Sequence, residues 1–165
     1  MKTCIIALAL LLCAFAPPAA AQSTDDIYSR NAVYLELGGQ GIFYTVNYEH
    51  RFAKFFACRA GFTHFTLTDF FFSDLTITAF PLMAVFLMGG TDHFFEIGAG
   101  VIPTIAESGF RWIPASSTMG IVGTAHLGYR YQPADGGFMF RASVPVFVTE
   151  NGAGAWGGVS FGYAF

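Results

Sequence analysis

The sequence predicts an all-β fold, an eight-stranded antiparallel up-and-down barrel that spans a membrane and follows a cleaved signal peptide. Three observations predict it. The chain begins with an export signal, it carries few charged residues, and apolar and polar residues alternate with a period of two along most of its length. Its 165 residues are enough for one domain.

The N-terminal segment has the pattern of a secretory signal peptide. Lys2 supplies a positive start, an apolar run extends over 4–16, and the alanines at 19–21 fit the small-residue rule for signal peptidase. The apolar run is shorter than the roughly 20 residues that a membrane-spanning helix needs. We therefore expect cleavage before Gln22 and export from the cytoplasm.

Composition narrows the class of protein. The expected regions are a signal peptide at 1–21 and an outer-membrane barrel domain at 22–165. The second region keeps one cysteine, Cys58, so no disulfide within it can hold the fold. Charged residues make up 12% of the chain, against about 25% in soluble domains, as suits a surface that faces lipid. No basic run is present, so we expect no nucleic-acid partner.

The expected mature chain contains no apolar stretch of helical-span length. The nearest candidate, 75–88, is interrupted by Pro81. Backbone polar groups must be satisfied internally in hydrocarbon, so only helices and closed barrels can cross it. An exported apolar chain without a spanning helix therefore indicates a barrel in the outer membrane of a Gram-negative bacterium.

The alternation is clearest from Ile42 to Phe52. One predicted face carries Ile42, Tyr44, Val46 and Tyr48, and the other carries Phe43, Thr45, Asn47, Glu49 and Arg51. In an outer-membrane barrel the apolar face meets lipid and the polar face lines the interior. The other seven predicted strands are 33–37, 56–63, 75–88, 95–101, 121–130, 138–144 and 159–165.

Prolines and connections refine this prediction. Pro81 and Pro145 lie inside predicted strands, where each would remove a ladder hydrogen bond, so we expect bulges or kinks there. Outer-membrane barrels join their strands by short periplasmic turns and longer outer loops. The predicted short turns are 53–54, 89–92 and 132–137, the predicted outer loops are 65–74, 103–117 and 148–155, and a tight outer hairpin at 38–41 would form a low rim.

The C-terminal segment 156–165 resembles the terminal strand of bacterial outer-membrane proteins, with alternating apolar residues and a final Phe. This resemblance implies that the barrel assembly machinery reads the segment during biogenesis. The residues at the matching positions are Val159, Phe161, Tyr163 and Phe165.

The whole chain resembles small eight-stranded barrels of the outer-membrane protein A and X type. The segments 34–39, 94–100 and 128–133 also resemble a group of outer-membrane proteins from the Bacteroidetes and their relatives. The resemblance implies the barrel fold and an outer-membrane location. It carries no activity, ligand or cofactor that could be transferred to this chain.

The alternation places eight ionisable side chains inside the predicted barrel. They are Glu36, Glu49, Arg51, Arg59, Glu96, His126, Arg130 and Arg141. An eight-stranded barrel is just wide enough for side chains to fill it, and buried charges are costly unless they are paired. We therefore hypothesise a salt-bridge network that plugs the lumen of a barrel with a structural or surface-interaction role. The alternative is a narrow channel for ions or small solutes, since the same residue types serve both.

No catalytic or metal site is predicted. Some small outer-membrane barrels modify lipids with a Ser-His-acid site, but Gly128 stands where a hydroxyl would follow His126, and His64 is followed by Thr66 instead of Ser. Lipid modification remains the second alternative. The sequence has no clustered metal ligands at short spacing, so we expect neither a metal nor another cofactor.

Two predicted outer loops carry candidate contact residues: Phe70, Phe71, Phe72, Arg111 and Trp112. These side chains could bind a partner or belong to the aromatic girdle at the membrane edge. We expect outer-membrane lipid as the main partner and a monomeric chain. A soluble periplasmic lipid-binding barrel is a further alternative, in which the apolar rows would form a dry interior.

Overall fold

The computed structural model describes residues 28–68, 73–110, 113–149 and 152–165. The expected signal peptide lies outside these ranges. The described residues form ten strands and one short 3-10 turn. In order these are β1 (Asn31–Gly38), the 3-10 turn (Gly39–Gly41), β2 (Tyr44–Ala53), β3 (Phe56–Thr68), β4 (Ser73–Ala79), β5 (Leu82–Gly89), β6 (His93–Phe110), β7 (Ile113–Tyr131), β8 (Gly137–Thr149), β9 (Gly152–Ala155) and β10 (Gly158–Ala164). Within the described ranges, no helix is both long and apolar enough to cross a membrane.

The ten strands make eight crossings of a closed antiparallel barrel. Strands β4 and β5 form one crossing, since both pair with β3 on one side and with β6 on the other. Strands β9 and β10 form another, since both pair with β8. β10 also pairs with β1, which closes the barrel. The predicted eight-stranded fold is confirmed.

The break between β4 and β5 lies where two prolines remove hydrogen-bond donors. Gly61 donates its N–H to the Pro81 carbonyl at 2.7 Å, and Phe80 donates to the Pro103 carbonyl at 3.0 Å. Neither proline can return a bond, because proline has no N–H. The pairing keeps one register across the break, with Thr63 opposite Ala79 and Ala60 opposite Leu82. The ladder at Pro81 is therefore interrupted without a bulge.

Pro145 interrupts the last crossing in the same way. Trp156 donates its N–H to the Pro145 carbonyl at 3.0 Å, and Pro145 cannot donate in return. The register continues on either side, with Ser143 opposite Gly158 and Val146 opposite Ala155. The gap between β9 and β10 follows from this missing donor.

The predicted extent of the outer loops was wrong, because most of the residues assigned to them belong to paired strands. The segment 65–74 belongs largely to the β3–β4 hairpin, 103–117 to the β6–β7 hairpin and 148–155 to the β8–β9 hairpin. Serine and threonine hydroxyls bridge two of these hairpins. Thr66 and Thr76 are 2.9 Å apart at their Oγ1 atoms, and Ser108 and Ser116 are 3.2 Å apart at their Oγ atoms. These cross-strand pairs stabilise the antiparallel hairpins where they extend beyond the end of the barrel.

The β1–β2 connection also departs from the predicted pattern. Ile42 has φ 70°, so the regular part of β2 begins only at Tyr44. Phe43, predicted to face the interior, is 51% exposed, and its ring contacts that of Phe65 with centroids 4.8 Å apart. The positive φ of Ile42 interrupts the alternation of inner and outer faces that the sequence pattern predicts through residues 42–43.

The outer surface of the barrel is apolar and its interior is largely polar. Large apolar side chains exposed on the wall include Val33, Leu35, Leu37, Val46, Phe62, Leu82, Phe86, Phe95, Ile97, Leu127, Val144, Val159 and Phe161. Cys58 is also exposed, on the predicted lipid-facing side. The short connections 54–55, 90–92 and 132–136 lie at the same end of the barrel as Asn31 and Phe165, and we call this the turn end. The opposite end, with the extended hairpins, is the hairpin end.

Candidate functional site

The candidate site is the barrel interior, where the eight ionisable residues predicted from alternation lie. The contributing residues are Glu36 on β1, Glu49 and Arg51 on β2, Arg59 on β3, Glu96 on β6, His126 and Arg130 on β7, and Arg141 on β8. Each of them is at most 3% exposed. The period of two along each strand puts them on the inner face.

Arg130 bridges two carboxylates from different strands. It donates from Nη2 to Glu49 Oε2 at 2.8 Å and from Nε to Glu96 Oε2 at 2.9 Å, and its Nη1 also contacts Glu49 Oε1. Nη1 donates further to Gln132 Oε1 at 3.1 Å. A planar guanidinium with donors on both sides suits this double pairing.

Arg141 continues the ion-pair chain. Its Nε donates to Glu96 Oε1, and its Nη1 donates to Glu36 Oε1 at 2.9 Å. Glu96 is therefore shared by both arginines. The chain of charges runs Glu49–Arg130–Glu96–Arg141–Glu36 and joins strands β2, β7, β6, β8 and β1. We call these five side chains the ionic layer.

Arg59 and His126 lie against the ionic layer on its hairpin side. Arg59 Nη1 donates to the Tyr34 hydroxyl at 3.1 Å, and Tyr34 donates to Glu49 Oε2 at 3.2 Å. Arg59 Nη2 is 3.3 Å from His126 Nδ1, which must accept, since guanidinium groups only donate. His126 Nε2 then carries the proton and lies 3.1 Å from Glu96 Oε1, although it is poorly aligned for a hydrogen bond. No carboxylate of the described residues lies within 4.0 Å of Arg59.

Arg51 lies apart from these ion pairs, at the turn end. Its Nη2 donates to the Lys54 carbonyl at 2.7 Å. Its guanidinium carbon lies 4.6 Å from the centroid of the Phe94 ring and 5.0 Å from that of Tyr28. Arg51 is thus held by a backbone carbonyl and two aromatic faces.

Two glycines make room for the interior side chains. A Cβ on Gly98 would lie 2.1 Å from His126 Cε1, and one on Gly162 would lie 2.3 Å from Tyr34 Cβ. A larger residue at position 98 would displace the His126 ring, and one at position 162 would collide with the β1 backbone at Val33 and Tyr34. The glycines on the inner face therefore let large polar side chains cross a narrow lumen.

Sequence reasoning missed several partners of the ionic layer. Tyr34 and Ser160 lie on the inner face, and Ser160 Oγ accepts from Arg141 Nη1 at 3.4 Å. Gln132 lies in a predicted turn, yet it is 2% exposed and its Nε2 donates to the Ser29 carbonyl at 3.4 Å. Alternation could have identified Tyr34, which shares a face with Glu36. Gln132 can be recognised as a partner of the ionic layer only from its hydrogen bond with Arg130 in the structure.

Two buried apolar clusters line the lumen beside the ionic layer, where Leu87 lies opposite Glu96 and Ala32 lies opposite Glu49. One buried cluster contains Ala57, Met83, Val85, Leu87 and Phe94, and a second contains Ala32, Tyr34, Met139 and Ala164. We call these two clusters together the apolar layer. Its members come from β1, β3, β5, β6, β8 and β10, so they line the wall on several sides.

The remaining predicted residues have the following positions. Val159, Phe161, Tyr163 and Phe165 point outward and are exposed, and β10 pairs with both β1 and β8. Phe70, Phe71, Phe72, Arg111 and Trp112 lie outside the described residues. The described part of the chain holds no group of three or more His, Cys, Asp or Glu side chains that could bind a metal ion.

Comparisons with solved structures identify the same fold. The N-terminal β-barrel domain of Pseudomonas aeruginosa OprF aligns with a TM-score of 0.57 and 15% identity, covering 83% of this chain and 99% of that one. Ail, the attachment invasion locus protein of Yersinia pestis, aligns with a TM-score of 0.52 and 13% identity, covering 82% and 95%. The structure of outer membrane protein Ail in a phospholipid bilayer nanodisc aligns with a TM-score of 0.53 and 12% identity, covering 83% and 99%.

No protein-family model matches the chain, and no curated protein matches it by sequence. At such low identity the structural likeness shows the fold, a closed eight-stranded barrel of the outer-membrane type.

Proposed function

We propose that this chain is an integral outer-membrane barrel whose lumen is plugged by the ionic layer and whose role is structural or surface-interacting. The observation that carries the proposal is the shared bonding of Glu96, which contacts both Arg130 and Arg141 inside the barrel. An outer-membrane location agrees with the apolar wall, which would be poorly suited to water.

The charge balance of the interior supports closure. Glu36, Glu49 and Glu96 supply three negative charges, Arg59, Arg130 and Arg141 supply three positive ones, and Arg51 at the turn end adds a fourth. An ion entering the lumen would have to displace bonded partners, and each bond broken would leave a buried charge unpaired. The apolar clusters beside the ionic layer narrow the lumen, and their atoms offer no substitute for an ion's water shell.

Conductance in a planar lipid bilayer tests this closure. We expect the purified protein to show no steady current after insertion has been verified by flotation of proteoliposomes. The double variant Glu49→Ala with Arg130→Ala should conduct, because it removes side chains from the layer while leaving its net charge unchanged. A stable current through the unmodified protein would support the narrow-channel alternative instead.

A surface-interaction role is favoured by the part of the sheet beyond the barrel. We call β4 and the hairpin-end segments 64–68, 103–110 and 113–122 the outer sheet. β7 pairs with β8 only from Gly123 onward, so the described residues provide no strand beside most of 113–122 on that side. Met119 and Ile121 on this edge are 77% and 73% exposed.

The backbone geometry leaves this edge open for pairing. Phe80 donates to the Pro103 carbonyl, so the backbone groups of Pro103 face β4. Its partner Ile121 must then direct its N–H and C=O away from β6, and so must Met119 two residues earlier. An open edge of this kind can accept an extended segment from another protein by strand addition.

Photo-crosslinking on intact cells tests this role. A photoreactive residue at Met119 should crosslink to a protein, whereas the same residue at Leu35 on the barrel wall should crosslink to lipid. The variant Met119→Pro removes an edge donor without removing a β6–β7 bond and should weaken an interaction that Met119→Ala retains. Lipid crosslinks alone at both positions would contradict the surface role.

Lipid modification is the remaining alternative, and the arrangement of the histidines does not favour it. His64 Nδ1 lies 2.8 Å from Thr78 Oγ1, which brings a base and a hydroxyl together. No carboxylate of the described residues lies within 4.0 Å of His64 to orient it. Lipid mass spectra from cells with and without the protein test this alternative, and we expect them to be the same.

A further inference from the structure

The 3-10 turn Gly39–Gly41 folds into the mouth of the barrel. All three of its residues are buried, and Gln40 is 3% exposed. Gln40 reaches Glu36 through its backbone N–H at 3.3 Å and His126 through its side-chain amide at 3.4 Å. Gly39 donates to the Gly157 carbonyl at 3.0 Å. The turn covers the hairpin end of the lumen with a few long hydrogen bonds.

The residue that follows this turn is strained. Ile42 has φ 70° and ψ −61°, and Phe43 donates its N–H to the Gly41 carbonyl at 2.9 Å. These values define a classic γ-turn, the rare and strained type with a positive φ, which β-branched residues seldom adopt. The closed position of the turn therefore requires Ile42, the residue that follows it, to adopt an unfavourable backbone conformation.

Beneath the turn lies a set of buried polar atoms that have no hydrogen-bond partner among the described residues. They are Gln40 Oε1, Thr45 Oγ1, Asn47 Oδ1, Arg59 Nε, Thr63 Oγ1, Thr124 Oγ1 and Ser143 Oγ. All of these side chains are at most 6% exposed. We call the space that they line, between the turn and the ionic layer, the outer chamber.

The turn packs directly on this chamber. A Cβ on Gly41 would lie 2.0 Å from Thr45 Oγ1 and 3.3 Å from Thr63 Cβ. Buried hydroxyl and amide groups are nearly always bonded to protein or to ordered water. The unpartnered atoms of the chamber therefore call for partners that both donate and accept hydrogen bonds, and the neighbouring charges, which balance once Arg59 is counted with the ionic layer, favour an uncharged partner.

We propose that the outer chamber is a pocket for small uncharged hydrogen-bonding molecules, water being the smallest, and that the Gly39–Gly41 turn is its lid. The pocket opens only at the hairpin end, because the ionic layer blocks the other end. The closure of the pocket toward the turn end rests on the proposed plug. Conductance tests the plug and labelling of the chamber tests the lid, so either can fail without the other.

Cysteine labelling with the uncharged reagent methyl methanethiosulfonate tests the proposal in purified protein whose native Cys4, Cys13 and Cys58 are replaced by serine. Thr63→Cys, in the chamber, should react in the folded barrel. Met139→Cys, in the apolar layer, should react only after unfolding.

Variants of the lid sharpen the test. A Cβ on Gly39 would lie 2.2 Å from Glu36 Cδ, so Gly39→Ala should displace the lid and speed labelling of Thr63→Cys about tenfold. Gly90→Ala is the matched control, because a Cβ there meets nothing within 4 Å. Ile42→Gly relieves the strain in the closed lid and should slow labelling about threefold.

Three results would overturn the proposal. The chamber would be dry if Thr63→Cys reacted as slowly as Met139→Cys in every background. The claim that the pocket opens only at the hairpin end would be wrong if Met139→Cys reacted as fast as Thr63→Cys. The turn would not be a lid if Gly39→Ala and Gly90→Ala gave equal rates. If Gly39→Ala fails to fold, Gln40→Ala replaces it, since it removes the bond to His126 without a clash.

Discussion

The ionic layer and the apolar layer fill the same lumen by opposite means. The ionic layer consists of directional bonds, and Glu96 alone contacts Arg130, Arg141 and His126. The apolar layer consists of side chains such as Val85 and Met139, which fill space without specific partners. In the first, loss of one member leaves other charges unpaired, and in the second it leaves a hole. The two layers should therefore respond differently to substitutions of similar size.

The largest effect is expected in the ionic layer. Arg130→Met leaves Glu49 and Glu96 without their shared partner and should lower the free energy of unfolding by about 4 kcal/mol. Urea unfolding in detergent micelles, followed by tryptophan fluorescence, measures the change. A loss below about 1 kcal/mol would mean that the pairs are dispensable, as exposed pairs usually are.

Leu87→Ala is the matching change in the apolar layer. Leu87 is 2% exposed, and the substitution should lower the free energy of unfolding by about 3 kcal/mol through lost burial and a cavity. Leu87→Met keeps most of the volume and should cost about 1 kcal/mol or less. Equal losses for the two variants would show that side-chain volume does not determine stability in this layer.

The wall and the outer sheet can be compared by placing one charge on each. Leu35→Arg puts a charge on the apolar wall and should lower the free energy of unfolding in lipid vesicles by about 2 kcal/mol. Met119→Arg changes an exposed side chain on the outer sheet and should cost about 0.5 kcal/mol or less, because water surrounds it. Similar losses at both positions would contradict the boundary between wall and outer sheet.

Arg51 lies apart from the ionic layer, and its loss should have a smaller effect than Arg130→Met, Leu87→Ala or Leu35→Arg. Arg51→Met removes contacts with two rings and one carbonyl and should lower the free energy of unfolding by about 1 kcal/mol. It is also the matched control for Arg130→Met, because both changes replace a buried arginine by the same side chain. A loss as large as that at Arg130 would show that carboxylate pairing does not distinguish the two sites.

The sequence predicted the fold and the inner face well because lipid imposes a strict alternation on the wall. Each charged residue assigned to the inner face, such as Glu36 and Arg141, is buried there. The strand segment 75–88 was ambiguous because both faces are apolar. Its inner face packs Met83, Val85 and Leu87 into the apolar layer, an assignment that depends on neighbouring strands.

Other features could not be read from one strand at a time. The bond from Tyr34 to Glu49 depends on how β1 and β2 align, and alternation does not specify side-chain partners. The segments 65–74 and 103–117 of the outer sheet were predicted as loops because no lipid imposes alternation there, although their threonines favour strands. Phe43 was predicted to face inward because the pattern gives no sign of the left-handed backbone at Ile42.

The central claim is that apolar rows face hydrocarbon while the charged side chains are enclosed. Nuclear Overhauser contacts between lipid acyl-chain protons and protein methyl groups, measured in nanodiscs, test it most directly. We predict contacts at Leu35, Val46 and Val159 on the wall and none at Val85 or Met139 inside. Acyl-chain contacts at the two interior residues, with none on the wall, would contradict the claim and indicate a soluble lipid-binding barrel instead.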